Sequence, residues 1–510
     1  MEYNDIIMQY KEIKVSEATI KQNKMGTLPI GRLLLTMSVP MMLSMLVQAL
    51  YNVVDSIFVS HISETQYELT AVSAAFPLQN LMIAFGTGIG VGITTLISKS
   101  LGEKNPKRAN RAAAQGIMLE LCSCVIFILI GLFGVRAFME SQTDNAEVIN
   151  HGVTYLSICS VFSAGLFIQI TFEKLLQSTG KMLHSMLAQA IGAILNIILD
   201  PIMIFGLFGA PAMGIKGAAI ATVIGQFAAA ITAIIFHFTA NRELNIGIKD
   251  FRPHKKLISK ILIVGLPSVI MVAIGSVMTY CMNRILFGVE KVGEVAATVF
   301  GTYFKLQSFL IMPVLGLNNG MVPIIAFNYG ARNKQRIIKT IRLSVISAVC
   351  IMLAGFAVFQ IAPGILMSLF KAQGEMLDIG IQALQVISYC FIFAGYSIVI
   401  ASTFQALGNG IFSMIISFVR QLVVLIPTAY LMAIFGKKLW MIWLSFPIAE
   451  AVACVLCTFM FIHLYKKLIK PLDETQSKEE LLESLEKQLA SGKITEKVYA
   501  QKKADILDNQ

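Results

Sequence analysis

Residues 102–108 read Gly-Glu-Lys-Asn-Pro-Lys-Arg, and residues 330–336 read Gly-Ala-Arg-Asn-Lys-Gln-Arg, with Gly, Asn and Arg in register about 228 positions apart. Residues 177–180 and 405–408 repeat at the same offset, and each runs from Gln to Gly. Duplicated helical bundles with a seam between them are the build of many secondary transporters, whose binding site lies at or near that seam. The duplication therefore makes transport the leading hypothesis.

The composition indicates a membrane protein, because 56% of the 510 residues are hydrophobic and only 14% are charged. Twelve apolar stretches are long enough to cross a bilayer: residues 33–58, 70–98, 113–138, 151–176, 185–207, 214–238, 257–287, 296–325, 338–362, 380–404, 413–436 and 441–465. We therefore predict an all-α polytopic membrane protein with two six-helix lobes. An even number of spans per lobe gives both repeats the same orientation, related by an axis along the membrane normal.

The distribution of positive charge predicts the orientation in the membrane. The net charge is +11, and Lys and Arg cluster after the second, sixth and eighth spans, at residues 99–111, 242–260 and 332–342. Short loops rich in Lys and Arg stay in the cytoplasm, which explains the charge without a nucleic-acid partner. We expect a multi-pass protein of the plasma (inner) membrane with both termini in the cytoplasm. Residues 1–28 show no apolar signal segment, so the first span serves as its own insertion signal.

The domain organisation follows from where polar sequence interrupts the spans. We predict five parts: a cytoplasmic N-terminal tail at 1–28, an N-lobe with spans 1–6 at 29–240, a cytoplasmic linker at 241–256, a C-lobe with spans 7–12 at 257–470 and a soluble helical tail at 471–510. In the tail, Ser477 and Glu480 have capping-box spacing ahead of periodic leucines, which predicts a short helical hairpin. Residues 485–495 resemble the small SHOCT-type C-terminal module, so the tail is expected to bind a partner, to regulate, or to be dispensable.

Ionisable residues inside the spans are the main candidates for chemistry. An ionised side chain in hydrocarbon costs roughly 2.5–3.5 kcal/mol on insertion scales, so each one needs a cavity or a partner. Asp55 lies in the first span and Asp200 in the fifth. Asn196 lies one helical turn before Asp200 on the same face, and Pro201 frees a carbonyl of the preceding turn. The alternatives are a solvated boundary position for Asp55 and a purely structural hydrogen bond for Asp200.

Further charged residues flanked by apolar sequence are candidates for a substrate cavity: Glu173, Arg284, Lys305, Arg420 and Glu450. Ile426 precedes Pro427 as Asp200 precedes Pro201, close to the repeat offset, so the carboxylate is not duplicated. The N-lobe thus holds the anionic candidates, and the C-lobe is richer in cationic ones. Alternatively, Glu173 pairs with the adjacent Lys174, while Arg284 and Lys305 reach the membrane interface or pair across helices.

The sequence lacks the patterns of enzyme chemistry. There is no glycine-rich phosphate loop of the Walker type, which argues against ATP as the energy source. The six histidines have no metal-ligand spacing, and all eight cysteines fall inside apolar spans. We therefore predict a protein that is not an enzyme and needs no cofactor or resident metal, with H⁺ or Na⁺ only as a coupling ion.

Over about residues 28–465 the chain resembles the MATE (multidrug and toxic compound extrusion) transporters. The resemblance rests on Pro40 and on these stretches: residues 51–59, 102–105, 177–180, 196–202 and 217–222. It implies two six-helix lobes in a V shape, alternating access, and export of cationic or amphipathic drugs in exchange for H⁺ or Na⁺. Such small molecules and membrane lipids are the implied partners of a monomer.

The resemblance also assigns site residues by position. Asp55, Asn196, Asp200 and Thr222 match the N-lobe cation site of the family, which takes up a proton or Na⁺. Pro40 matches the bending point of the first helix. Some members instead place acidic cation ligands on spans 7 and 10, but here neither span has an acid in its middle. The coupling site is therefore expected in the N-lobe.

Three alternatives remain open. A flippase for lipid-linked precursors has the same superfamily architecture, and a strongly cationic cavity built from Arg284, Lys305 and Arg420 would favour it. A porter of the major-facilitator type is disfavoured, because the loop after the second span lacks that family's Gly-Asp-Arg signature. A non-transport membrane scaffold would use the C-terminal tail for docking.

Overall fold

The computed structural model describes residues 23–62, 67–289, 292–370, 372–436, 438–472 and 498–500. Within these ranges the regular secondary structure is entirely helical. The SHOCT-like sequence at 485–495 and, apart from the helical residues 498–500, the hairpin predicted for the tail lie outside the described residues, so the structure does not test them.

In the part of the chain that the structure describes, the N-lobe contains nine α-helices: α1 (Lys24–Thr27), α2 (Ile30–Ser60), α3 (Tyr67–Gly102), α4 (Pro106–Phe133), α5 (Val135–Gln142), α6 (Ala146–Val161), α7 (Ala164–Ser178), α8 (Met182–Phe205) and α9 (Ile215–Ala240). The C-lobe continues with ten more: α10 (Lys255–Phe287), α11 (Gly293–Gly330), α12 (Lys334–Ile361), α13 (Pro363–Ser368), α14 (Glu375–Ser388), α15 (Phe391–Ala406), α16 (Gly410–Phe418), α17 (Ile426–Gly436), α18 (Leu439–Trp443) and α19 (Ser445–Leu464). A π-helical segment, Val419–Leu425, joins α16 to α17. Another, Tyr465–Ile469, extends α19.

Ten segments of the described chain are long and apolar enough to cross a membrane, and two bent helix pairs raise the number to twelve. In the fourth span α6 and α7 meet at 47°, and in the tenth α14 and α15 meet at 51°. The breaks fall at residues 162–163 and 389–390, which are equivalent positions of the two repeats. Neither break contains a proline, so the apolar pattern of the sequence predicts each span as one continuous helix. The fold is therefore the predicted all-α bundle, with one bent span in each lobe.

The repeated turns adopt the same local structure in both lobes. The side chain of Asn105 accepts a hydrogen bond from the Arg108 amide at 2.9 Å, and Asn333 accepts one from the Arg336 amide at 3.1 Å. Just before these caps, Lys104 and Arg332 have φ of 53° and 54°. Left-handed backbone is uncommon for residues other than glycine, so its recurrence at one register supports a common origin of the two turns.

The two lobes meet along a seam on one side of the molecule. We call this side the basic face; residues 23–28, 102–111, 241–254 and 327–336 come together there. A β-carbon added to Gly102 would lie 1.9 Å from the Phe327 carbonyl oxygen, and one added to Gly330 would lie 2.1 Å from that of Lys99. Glycine is therefore needed at both positions, because the backbones of opposite lobes are in contact.

The seam continues into the membrane in the halves of the helices nearer the basic face. Ser38 of α2 donates a hydrogen bond to the Leu317 carbonyl of α11 at 3.2 Å. A β-carbon at Gly92 of α3 would lie 2.3 Å from the Ile261 carbonyl oxygen of α10. Helix α2 runs unbroken through Pro40. The bend that the family resemblance assigns to Pro40 stays a prediction.

Candidate functional site

The structure brings together the four residues that the family resemblance assigns to a cation site. Asp55 lies on α2, Asn196 and Asp200 lie one turn apart on α8, and Thr222 lies on α9. Asp200 is fully buried, and the other three are exposed by 9% or less. Three separate helices therefore converge on one buried polar site inside the N-lobe.

Asn196 hydrogen-bonds one acid of this site, and the second acid lies close by. The amide nitrogen of Asn196 donates to Oδ1 of Asp200 at 3.3 Å, as the i,i+4 spacing predicts. The carboxyl groups of Asp55 and Asp200 lie within hydrogen-bonding reach of each other. Two ionised carboxylates at such a separation repel, so the pair is stable when a proton or a cation lies between them.

Several oxygen atoms of the site are buried and find no hydrogen-bond partner in the part of the chain that the structure describes: Oδ1 of Asp55, Oδ2 of Asp200, Oδ1 of Asn196 and Oγ1 of Thr222. A buried polar atom without a partner carries a desolvation cost, and such atoms in native proteins call for an explanation. Carboxylate, amide and hydroxyl oxygens are the ligands that hard cations prefer. The donor set therefore suits a proton or Na⁺.

Aromatic and polar residues that the sequence analysis did not select surround the acids. Tyr51 on α2 lies close to Asp55, Asp200 and Thr222. Tyr155 on α6 lies near Asp55 and accepts a hydrogen bond from the Gln79 amide at 3.2 Å. The spacing of Tyr51 one turn before Asp55 was a signal for the first of these. Nothing local marks Tyr155, because it reaches the site only through the packing of α6.

A second group of polar residues follows the α2–α8 interface from the site towards the basic face. Ser44 hydrogen-bonds Gln189 of α8, and the amide of Gln189 donates to Gln48 at 3.3 Å. Ser44 and Gln48 lie on successive turns of α2, and Asp55 lies two turns beyond Gln48. The buried acids therefore share α2 with a polar interface that leads to the side where the lobes touch.

Glu173 lies on α7, apart from the four-residue site, beside a second buried charge cluster. Its Oε1 accepts a hydrogen bond from Gln169 at 2.9 Å. The ammonium of Lys174 donates to Gln177 at 2.9 Å and reaches Asn319 of the C-lobe at 3.5 Å. Lys174 therefore hydrogen-bonds to two amide oxygens, one of them across the seam. The alternative interpretation, in which Lys174 pairs with the adjacent Glu173, is not what the structure shows.

The sequence analysis missed Glu120, a buried acid on α4. It is 1% exposed, and neither carboxyl oxygen has a hydrogen-bond partner among the residues that the structure describes. The positive charge of Lys174 lies close enough to interact with the Glu120 carboxyl group. The criterion used for Asp55, a lone acid within an apolar span, would have found Glu120 as well.

The four C-lobe candidates do not form one cavity. Arg284, in the last turn of α10, and Lys305, on α11, are exposed. Arg420 instead pairs with Glu450 of α19, with the guanidinium and the carboxylate 3.1 Å apart. This ion pair links two helices of the C-lobe, and we interpret it as structural.

We expect Arg420→Gln to destabilise the protein, because it leaves the buried Glu450 carboxylate without its cation. Removing one partner of a buried ion pair costs about 3–5 kcal/mol, and the partial exposure of Arg420 reduces that to about 1–3 kcal/mol. Thermal unfolding in detergent, followed by circular dichroism, measures the effect. The double variant Arg420→Gln with Glu450→Gln should recover most of the loss. An unchanged unfolding midpoint in the single variant would contradict a structural role for the pair.

Comparison with known proteins places this arrangement in a family. A family model described as MatE matches residues 40–202 and 267–431, one match in each lobe. The multidrug export protein MepA of Staphylococcus haemolyticus strain JCSC1435 is 28% identical over 432 residues, which cover 84% of this chain and 93% of that protein. MepA of Staphylococcus aureus strain MRSA252 is 28% identical over 444 residues, covering 86% and 94%.

Solved structures agree with this placement. The outward-facing conformation of a multidrug resistance MATE family transporter of the MOP superfamily superposes with a TM-score of 0.82 at 25% identity, covering 88% of this chain and 99% of that one. The crystal structure of MATE in complex with MaL6 gives the same values. These matches confirm the family resemblance and the multi-pass membrane fold. Since the family match spans more than half of the sequence and falls on both repeats, the chain belongs to the MatE family of multidrug and toxic compound extrusion proteins.

Proposed function

We propose that the protein is a secondary active antiporter, which exports cationic or amphipathic drugs and other toxic compounds in exchange for H⁺ or Na⁺ by alternating access. The observation that carries this proposal is the buried pair Asp55 and Asp200, with unpartnered oxygens from α2, α8 and α9 around it. The names of the relatives, multidrug export proteins and a multidrug resistance transporter, support the substrate class.

The basic face is assigned to the cytoplasm, because short loops rich in Lys and Arg stay on that side. The seam closes the molecule there, with glycine backbones of the two lobes in contact. The structure therefore represents the outward-open state in this proposal, and the likeness to an outward-facing relative supports it. Transport requires a second state, in which the seam parts and the outer ends of the lobes approach.

The acid pair supplies the coupling. In the outward-open state a proton or Na⁺ from outside enters between Asp55 and Asp200 and removes their mutual repulsion. A cationic drug held by the ionised acids loses that attraction when the coupling ion binds, so it is released outside. After the lobes rearrange, the ion leaves to the cytoplasm and the acids are ready for the next drug.

The membrane potential drives this exchange when more positive charge enters than leaves, whereas one-for-one exchange of a monovalent cation for H⁺ or Na⁺ is driven by the ion gradient alone. Each charge entering down 100 mV supplies about 2.3 kcal/mol. At 1.4 kcal/mol per factor of ten, one such charge sustains a concentration ratio of several tens for a neutral substrate. No hydrolysis of ATP is needed.

Proteoliposomes with the purified full chain test the proposal directly. Vesicles loaded under an H⁺ gradient, a Na⁺ gradient or no gradient receive a fluorescent organic cation such as ethidium. We expect one of the two ion gradients to drive dye uptake into the vesicles through protein molecules inserted inside out. Without a gradient we expect only leakage. Equal dye movement in all three conditions would overturn ion coupling.

The same vesicles distinguish the flippase alternative. A flippase for anionic precursors needs a cationic cavity. In the structure Arg284 lies at a helix end and Arg420 is paired with Glu450. A labelled anionic lipid-linked precursor added to the outer leaflet should remain accessible to a membrane-impermeant reductant under our proposal. Its protein-dependent protection, with no dye transport, would replace the antiporter by a flippase.

A further inference from the structure

The residues that precede the first transmembrane helix fold against the basic face and touch both lobes. Residues 23–28, which we call the clasp, include the short helix α1, and Asn23 caps it by accepting a hydrogen bond from the Met25 amide at 2.9 Å. Met25 is fully buried. Because burial of a side chain in a terminal segment needs neighbours on several sides, the clasp is an integrated part of the seam.

The C-lobe holds the clasp through its main chain. One nitrogen of the Arg336 guanidinium donates to the carbonyl oxygens of Met25 at 2.9 Å and Leu28 at 2.8 Å. Its Nε donates to Asn328 at 3.0 Å, and the amide of Asn328 in turn donates to the Met25 carbonyl at 3.2 Å. A β-carbon at Gly26 would lie 3.1 Å from the Phe327 ring.

On the N-lobe side the clasp makes its contacts with its own side chains, and Lys24 and Met25 lie against Gly180. Asn23 donates to Glu243 at 3.5 Å, and Lys181 lies 3.9 Å from the same carboxylate. Burial raises the pKa of Glu243, and Lys181 and Lys24 counteract that rise. Burial, together with the charge of Lys181, lowers the pKa of Lys24, so two cations crowd one acid here.

The two sets of contacts differ in strength. Charge-assisted hydrogen bonds with a planar guanidinium are shorter and roughly twice as strong as neutral ones. On the N-lobe side the hydrogen bond from Asn23 to Glu243 is long, and the wide ion pair between Lys181 and Glu243 joins the linker to the N-lobe without including the clasp. When the lobes part at the basic face, the weaker N-lobe contacts are the ones that break.

We propose that Arg336 and Asn328 are positioning residues of the transport cycle, which keep the clasp and the adjoining basic-face end of α2 attached to the C-lobe while the N-lobe moves away. The proposal rests on the alternating-access function proposed above. The positive-inside rule explains a cation in this loop, but it does not explain the three hydrogen bonds, two from Arg336 and one from Asn328, that converge on the clasp.

This attachment has a consequence for α2. The basic-face end of the helix stays with the C-lobe, whereas Asp55 near its other end belongs to the N-lobe site. Helix α2 must therefore deform between these points during the cycle. Pro40, the position to which the family resemblance assigns a bend, lies between them and lacks the amide hydrogen of a regular helical turn, so we expect the deformation there.

Distances between spin labels test the positioning role independently of transport. In a cysteine-free background, labels at the exposed positions Lys107 and Lys339 report the separation of the lobes at the basic face, and labels at the exposed positions Thr27 and Lys339 report the distance between the clasp and the C-lobe. We expect the wild type to keep one short distance between Thr27 and Lys339 and Arg336→Gln to raise the fraction of molecules with a longer one about tenfold, since hydrogen bonds to a charged group are lost. Arg336→Lys keeps the charge but lacks the planar fork, so it should behave like Arg336→Gln.

The control is Arg342→Gln, which removes the same charge from an exposed position on the same helix. It should leave the distance distribution of the wild type unchanged. If Arg336→Gln also leaves it unchanged, or if Arg336→Lys restores the wild-type distribution, the positioning role is overturned. A detached clasp in Arg336→Gln combined with a wild type that transports no dye would instead leave the positioning role intact and overturn the proposed function.

Crosslinking shows which lobe carries the clasp. Gly26→Cys with Phe327→Cys ties it to the C-lobe, and Lys24→Cys with Lys181→Cys ties it to the N-lobe. Oxidation of the first pair should leave dye transport intact, and oxidation of the second should block it until a reductant is added. Any other pattern contradicts a clasp that travels with the C-lobe.

Discussion

Replacing Asp200 with asparagine is expected to abolish ion-driven efflux while leaving the protein folded. The amide has nearly the shape of the carboxyl group, so packing around the fully buried side chain is preserved. It cannot release or take up a proton, and it removes half of the charge that would hold a cation between Asp55 and Asp200. Dye transport in proteoliposomes should fall to the level of vesicles without protein under either ion gradient.

A matched control separates this effect from a general loss of an acid. Asp144 is exposed in the loop before α6, and Asp144→Asn should transport like the wild type. The unfolding midpoint of Asp200→Asn should equal or exceed that of the wild type, because removing one of two adjacent acids relieves repulsion. If Asp200→Asn retained full efflux and its response to pH, the acid pair would not be the coupling site.

Much of the fold could be predicted because it depends on local chemistry. Apolar stretches of sufficient length specify the spans, and the Asn105 and Asn333 turns recur with the same cap and the same left-handed residue. The bends at residues 162–163 and 389–390 could not be predicted, since no proline or polar run interrupts the apolar pattern there.

The candidate site likewise combines contacts that the local sequence predicts with contacts that depend on tertiary packing. The contact between Asn196 and Asp200 follows from helical spacing, and the structure shows it. The approach of Asp55 to Asp200 came from the family resemblance, because nothing in the two local sequences specifies how α2 packs on α8. Pairing of Arg420 with Glu450 depends on the packing of distant helices in the same manner. In the sequence Arg336 is one of several positive charges that set the orientation in the membrane. Only its three hydrogen bonds in the structure distinguish it from the others.

A methyl group at Gly92 is expected to disfavour the closed seam strongly. The new β-carbon of Gly92→Ala would lie 2.3 Å from the Ile261 carbonyl oxygen, and a backbone atom cannot rotate away. Helices α3 and α10 belong to different lobes, so the strain is relieved when the lobes part. Overpacking costs about 1–3 kcal/mol, which corresponds to a shift of 5- to 150-fold between two states. Spin labels at Lys107 and Lys339 should then report mostly separated lobes.

Gly301→Ala is the matched control for this variant. Gly301 lies on α11 with nothing within 4 Å of an added β-carbon, so the substitution brings only the gain of helix propensity, about 1 kcal/mol. It should raise the unfolding midpoint slightly and leave both transport and the label distances unchanged. Gly92→Ala receives the same gain in propensity, so its separated lobes and lost dye transport would isolate the effect of contact between the lobes. Identical distances in the two variants would mean that the glycine seam does not set the balance between outward-open and inward-open states.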